Sequence, residues 1–178
     1  MPAKLELERG LTTEIQDQTF DKAIADIEFL SDPGITPAEI MIKSLSLFSD
    51  PAPAFKPLSL PYRFSSHPGR TIYRNGERIL KDNGKIIRVN CDGRIKGIET
   101  EDERINIAHE ANGLIQSVQI NRSKDGLRIY VERNSIGNVT RMVAEKFPCD
   151  NFSVLGDPTT ILDIDFITPD QLPLPKLD

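Results

Sequence analysis

Apolar residues recur at helical spacing first between Asp17 and Ser31, where Phe20, Ile24, Ile27 and Leu30 step by four, three and three. That stripe predicts an amphipathic helix. Asp32-Pro33-Gly34 ends it, since proline lacks an amide donor and disfavours helix in the residue before it. Thr36-Pro37-Ala38-Glu39 opens a second helix as a capping box. Thr36 accepts from the amide three residues on, Glu39 reaches back, and Pro37 takes the first helical position, where no amide partner is needed. Ile40, Leu45, Leu47 and Phe48 supply its apolar positions, with a stop near Asp50.

From Asp50 to Gly69 the pattern is neither helical nor alternating. Five prolines fall there, with Phe55, Leu58, Leu60, Tyr62 and Phe64 between them. Proline at that density predicts an extended strap, and its apolar content predicts docking, with Phe55, Leu58 and Leu60 as binding residues. Beyond residue 70 the period becomes two: Ile105 and Ile107; Leu114, Val118 and Ile120; Leu127, Ile129 and Val131; Val139 and Val143. Turn signals separate these runs at Asn75-Gly76, Asn83-Gly84, Asp92-Gly93, Asn112-Gly113, Asp125-Gly126 and Ile136-Gly137-Asn138. Asn-Gly and Asp-Gly pairs favour two-residue hairpin turns, whose central residues both need positive φ, so residues 70–146 read as a meander of about seven or eight antiparallel strands. After Phe147-Pro148 the chain turns proline-rich again around a β-branched run, Thr159 to Ile167. The expectation is an α+β protein in four parts: an N-terminal helical segment (1–49), a proline-rich strap (50–69), a β-meander of hairpin repeats (70–146) and an extended C-terminal arm (147–178).

The turns align into a repeat. Segments beginning Asn83-Gly84, Asp92-Gly93, Asn112-Gly113 and Ile136-Gly137 share a turn glycine, a polar or variable residue, an apolar residue, two further positions and another apolar residue. The segment Ile129-Tyr130-Val131-Glu132-Arg133-Asn134-Ser135-Ile136-Gly137-Asn138-Val139-Thr140-Arg141-Met142 resembles the YD (RHS-type) repeat, in which a Tyr-Asp pair leads into Gly-Arg/Asn-Leu/Val-Thr. The likeness covers about residues 71–145. Glu110 and Glu132 stand where that motif has Asp, tyrosine is mostly missing, and the glycines are spaced 9, 20 and 24 residues apart. The resemblance implies hairpins stacked into a curved scaffold sheet, as in large secreted or injected proteins. Four copies would not close a shell, and a short sheet would carry two edges.

Composition narrows the chemistry. Of 178 residues, 38% are hydrophobic and 6% aromatic, with no Trp, which argues against a large aromatic-lined cofactor pocket; no cofactor is expected. No run approaches the length of a membrane-spanning helix, and the N-terminus lacks the apolar stretch of a signal peptide. The expected location is cytoplasmic, with incorporation into an exported assembly left open. The net charge of −5 is uneven, with 15 Lys/Arg against 11 Asp/Glu in residues 70–146 and 7 against 16 elsewhere. A basic middle admits a nucleic-acid-binding module, although interleaved acids describe a mixed solvated surface equally well.

Cys91 and Cys149, 58 positions apart and without CxxC spacing, encode neither a zinc site nor a disulfide framework, so no metal is expected. His109 falls on the same predicted face as Ile105 and Ile107, with Glu110 on the opposite face, which is poor placement for an acid–base pair. His67 lies in a Ser-His-Pro-Gly turn. Asp163 and Asp165 share a face of a strand and could hold a hard cation, or simply face water while Leu162, Ile164 and Phe166 turn inward. Arg104, Arg128 and Arg141, on neighbouring expected strands, form an anion-binding stripe if register aligns them; Glu110 and Glu132 could instead neutralise them. The phosphate-loop, dinucleotide, serine-hydrolase and zincin motifs do not occur.

The reading favoured by these features is a non-catalytic structural or adaptor subunit. It would bind other protein chains, with self-association among the options, through sheet edges and arms. One alternative is a small enzyme or delivered toxin fragment using His109 and Glu110 or Asp163 and Asp165. The other is nucleic-acid binding by the basic meander.

Overall fold

The computed structural model describes residues 21–53, 70–74, 77–82 and 84–167. Helix α1 runs through residues 21–29; Ile24 and Ile27 in it and Leu30 just past its end, three of the four stripe residues, are buried, and Phe20 lies outside the described residues. Its end tightens, with Leu30 N donating to Ile27 O at 3.1 Å and Ser31 N to Glu28 O at 3.0 Å. Gly34 N then bonds Asp32 Oδ1 at 2.9 Å across the turn. Helix α2, Pro37–Ser49, begins at the expected capping box: Glu39 N donates to Thr36 Oγ1 at 3.2 Å and Thr36 N to Glu39 Oε1 at 3.3 Å. Its buried positions are Ile40, Ser44 and Phe48, a stripe at steps of four.

The rest is one curled antiparallel sheet. Its strands are β1 (Arg70–Arg74), β2 (Glu77–Asp82), β3 (Lys85–Val89), β4 (Ile95–Glu99), β5 (Glu103–His109), β6 (Ile115–Arg122), β7 (Asp125–Arg133), β8 (Val139–Asp150), β9 (Ser153–Val154) and β10 (Thr159–Asp165). β1 to β8 follow one another as a meander, β10 adds to the far side of β8, and β9 folds back on the end of β8. Alternation does the rest. Ile87, Ile98, Ile105, Ile107, Val118, Ile120, Leu127, Ile129 and Met142 turn to one face and make a single core with α1 and α2.

Three hairpins share one construction. In each, a residue donates its N–H to the carbonyl four positions on and accepts from the glycine three positions on: Asn90 with Arg94 and Gly93, Glu110 with Leu114 and Gly113, Asn134 with Asn138 and Gly137. The glycines have φ of 86°, 89° and 93°, a left-handed conformation that completes a three-residue turn. Each hairpin also carries a register shift at its tip, after Arg88, Ala108 and Glu132 respectively. Val89, His109 and Arg133 therefore occupy equivalent places, facing Ile95, Ile115 and Val139.

Three expectations change. The hairpins at Asp92-Gly93 and Asn112-Gly113 turn through three residues instead of two, with the glycine alone at positive φ. Asp125-Gly126 is not a turn but the start of β7, with Ser123 and Lys124 making the connection. The C-terminal segment is not an arm through residue 165, because β8 continues to Asp150 and β10 pairs with it from Thr159 to Asp165. A β-branched run beside a strand with a free ladder satisfies its backbone by joining it. Of the strap, Ala52 is fastened to the sheet: its N–H reaches Gly113 O at 3.0 Å and its carbonyl accepts from Arg94 Nε at 3.3 Å. Phe55, Leu58 and Leu60 lie outside the described residues.

Candidate binding groove

α1 and α2 leave a cavity of about 660 Å³ between them and the sheet. Its floor is Ile95, Ile107 and Ile115, from β4, β5 and β6, and its walls include Ala23 and Ile27 of α1 and Leu47 of α2. Pro51, Ala52 and Pro53 close one side. The lips carry Phe29 and Ile42, which are 37% and 64% exposed. Lys43 places its ammonium 4.9 Å from the centre of the Phe29 ring, and Lys22 pairs with Asp26 at 3.7 Å one turn on. Volume and lining are those of a ligand or side-chain site, apolar below with few polar groups.

His109 is the polar group of the floor. Its ring is half-buried, and Nε2 is buried with no hydrogen-bond partner. Burial pushes its pKa below the ordinary value, Arg94 adds to the shift and Asp92 opposes it. The neutral imidazole is thus the favoured form in an apolar setting, able to accept or donate a bond to an occupant.

Glu110 does not join it. Its carboxylate meets Arg133 Nε at 3.2 Å, and the Arg133 side chain is only 5% exposed. Arg133 Nη2 also donates to Phe48 O at 2.8 Å and Ile115 O at 2.6 Å. The strand alternation anticipated from sequence separates His109 from Glu110, and Arg133 then fixes the separation.

The three arginines share the outer face of the sheet, opposite the helices, but not one row. Arg104 stands across from Asn121, Arg128 across from Gln119 and Glu145, and Arg141 across from Glu132 and Asp165. β6 also lies between the strands of Arg104 and Arg128. Arg104 stacks 4.3 Å over the ring of Phe152, which with Asn151 forms a turn at φ of 70° and 48°; Asn121 Nδ2 holds Phe152 O at 2.9 Å. Such φ is costly for a bulky residue, and these contacts retain it. Arg128 lies 5.0 Å over Tyr130. Arg141 makes two bonds of 2.8 Å to Asp163 and meets Glu132 at 3.3 Å.

Asp163 and Asp165 are both exposed, and among the described residues no three His, Cys, Asp or Glu side chains gather as a metal site. Cys149 is buried and Cys91 exposed, both as free thiols. Phe29 and Ile42 were not singled out by the sequence pattern. The signal was there: each lies off the buried stripe of its helix, next to Leu30 and two residues past Ile40. No helix among the described residues is long and apolar enough to cross a membrane. No protein-family model, curated protein or solved structure matches the chain.

Proposed function

We propose that the chain is a non-catalytic adaptor subunit that holds an apolar segment of another polypeptide in the groove between α1, α2 and the sheet. The carrying observation is the groove itself: an isoleucine floor with the exposed apolar side chains Phe29 and Ile42 on its lips. Apolar side chains left in water around a concavity lower their free energy when a complementary chain covers them. His109 gives such a segment one hydrogen bond in an otherwise apolar bed. The likeness to YD repeats belongs to the same proposal, a scaffold of repeated hairpins. A second reading, small-molecule binding or catalysis, is favoured by one feature, the neutral imidazole of His109 beside the cavity.

Peptides displayed on phage and selected against the purified chain test the proposal, with binding then measured by fluorescence anisotropy. Enriched peptides should carry spaced apolar residues and lose about tenfold or more in affinity on Ile42→Asp. Arg128→Ala, on the other face, should leave them unchanged. Failure to enrich any peptide, or indifference to Ile42→Asp, would overturn the assignment.

A further inference from the structure

The sheet path begins at β1 and ends at β10, and among the described residues neither outer edge has a partner strand. An unpaired edge presents a row of amide and carbonyl groups that another strand can complete. The phase of that row on β10 follows from one bond. Phe166 N donates to Thr140 O at 2.8 Å, so alternate residues back along β10 face β8, while Asp163 and Asp165 turn their backbone groups to the open edge.

The two edges differ in charge. β1 reads Arg-Thr-Ile-Tyr-Arg, with two arginines and no acid; β10 reads Thr-Thr-Ile-Leu-Asp-Ile-Asp, with two aspartates and no base. Asp163 is taken up by Arg141, whereas Asp165 is exposed and makes no ion pair among the described residues. Charges on an edge ordinarily discourage pairing, and here they do so selectively. Two β10 edges bring no base to either aspartate, and two β1 edges bring no acid to either arginine. Only β10 against β1 brings opposite charges together.

We infer that the chain associates head to tail with a second copy of itself, the acidic β10 edge of one molecule pairing with the basic β1 edge of the next. The inference rests on the adaptor reading in that both use the chain as a protein-binding subunit, but it needs no occupant in the groove. Because the joined surfaces are different, each pair still exposes one edge of each kind, and growth continues.

The test is sedimentation velocity on the full chain at low ionic strength over a range of concentrations. The mass should rise past that of a dimer with concentration and fall again in salt, because exposed charges are screened. Asp165→Pro removes an edge-facing amide without touching the β8 ladder, and Arg70→Glu with Arg74→Glu reverses the other edge. Each variant alone should stay monomeric, yet an equimolar mixture should form a dimer and nothing larger, since each keeps the edge that the other lacks. Asp165→Lys, which leaves the backbone intact, should likewise stay monomeric on its own if the proline variant fails a circular-dichroism check. Ile42→Asp should assemble normally, which separates this surface from the groove. A chain monomeric at every concentration, a variant mixture that stays monomeric, or oligomers that survive Asp165→Pro and Asp165→Lys would overturn the inference. A strand of a different protein found on either edge in place of a second copy would do the same.

Discussion

Arg133 donates from Nη2 to the main-chain oxygen of Phe48 at 2.8 Å, closing the C-terminal end of α2 with a residue from the middle of the sheet. The same nitrogen reaches Ile115 O, and Nε meets Glu110. Arg122 does the equivalent for α1, donating to Ser31 O while pairing with Glu103 at 3.8 Å and Asp125 at 3.5 Å. A helix end leaves carbonyls unsatisfied and carries partial negative charge, so a cation that arrives from elsewhere both bonds it and complements the dipole. These two arginines fix the helices against the sheet and thereby set the width of the groove.

Arg133→Met should lower unfolding stability by about 2 to 4 kcal/mol, because two carbonyls and the Glu110 carboxylate lose a partner in a buried place. Its Nη1 has no partner, which keeps the loss toward the lower part of that range. Arg133→Lys should recover less than half of it, since a single ammonium cannot span three acceptors in the plane of a guanidinium. Urea denaturation measures both, and a methionine variant as stable as the parent would show that α2 needs no such cap.

The three equivalent hairpin positions hold Val89, His109 and Arg133. Packing is satisfied by valine, and Arg133 is accounted for by α2. His109 has a buried, unpartnered Nε2. With its pKa below the ordinary 6.5, the unfolded chain takes up protons first as pH falls, so the full stability present above 6.5 is lost as pH drops through the folded value. His109→Val should remove that acid-side loss while keeping the fold. An imidazole titration by NMR with a midpoint at or above 6.5 would contradict this account.

Asp163 titrates in the opposite sense to a buried acid. The paired hydrogen bonds from Arg141 hold its carboxyl below the ordinary 3.8, with burial opposing and the Arg141 charge assisting. Its contribution is present above 3.8 and disappears as pH falls through the lowered folded value. Arg141→Gln should return the carboxyl resonance of Asp163 to the ordinary range. No change in that resonance would mean the pair does not persist in solution.

Local chemistry was readable from sequence wherever neighbours in the chain decide the outcome. Thr36 and Glu39 form the expected box, Gly93, Gly113 and Gly137 take the positive φ expected of turn glycines, and Ile24, Ile27 and Leu30 form the buried stripe. Asp125-Gly126 misled because a glycine that admits a turn also admits close approach of another side chain. The placement of β10 was not legible, since pairing with β8 depends on an edge built by residues far away in sequence. The same holds for the groove. Isoleucines at 95, 107 and 115 read as core, and only the way the helices cross the sheet leaves them lining a cavity.

Gly126 provides the sharpest test of that packing. It faces Phe147 across the β7–β8 ladder, and a methyl added there would collide with the phenyl ring and lie 2.8 Å from Ile120 O. The ring in turn is only 6% exposed although it lies on the outer face, so the glycine is the slot that buries it. Gly126→Ala should destabilise by about 1 to 3 kcal/mol through overpacking, and Phe147→Ala by about 3 to 5 kcal/mol through lost burial. Combined, the two should cost less than their sum, because the shortened side chain leaves room for the new methyl. Strict additivity in chemical denaturation would instead assign the alanine penalty to the Ile120 carbonyl, which the second substitution does not move.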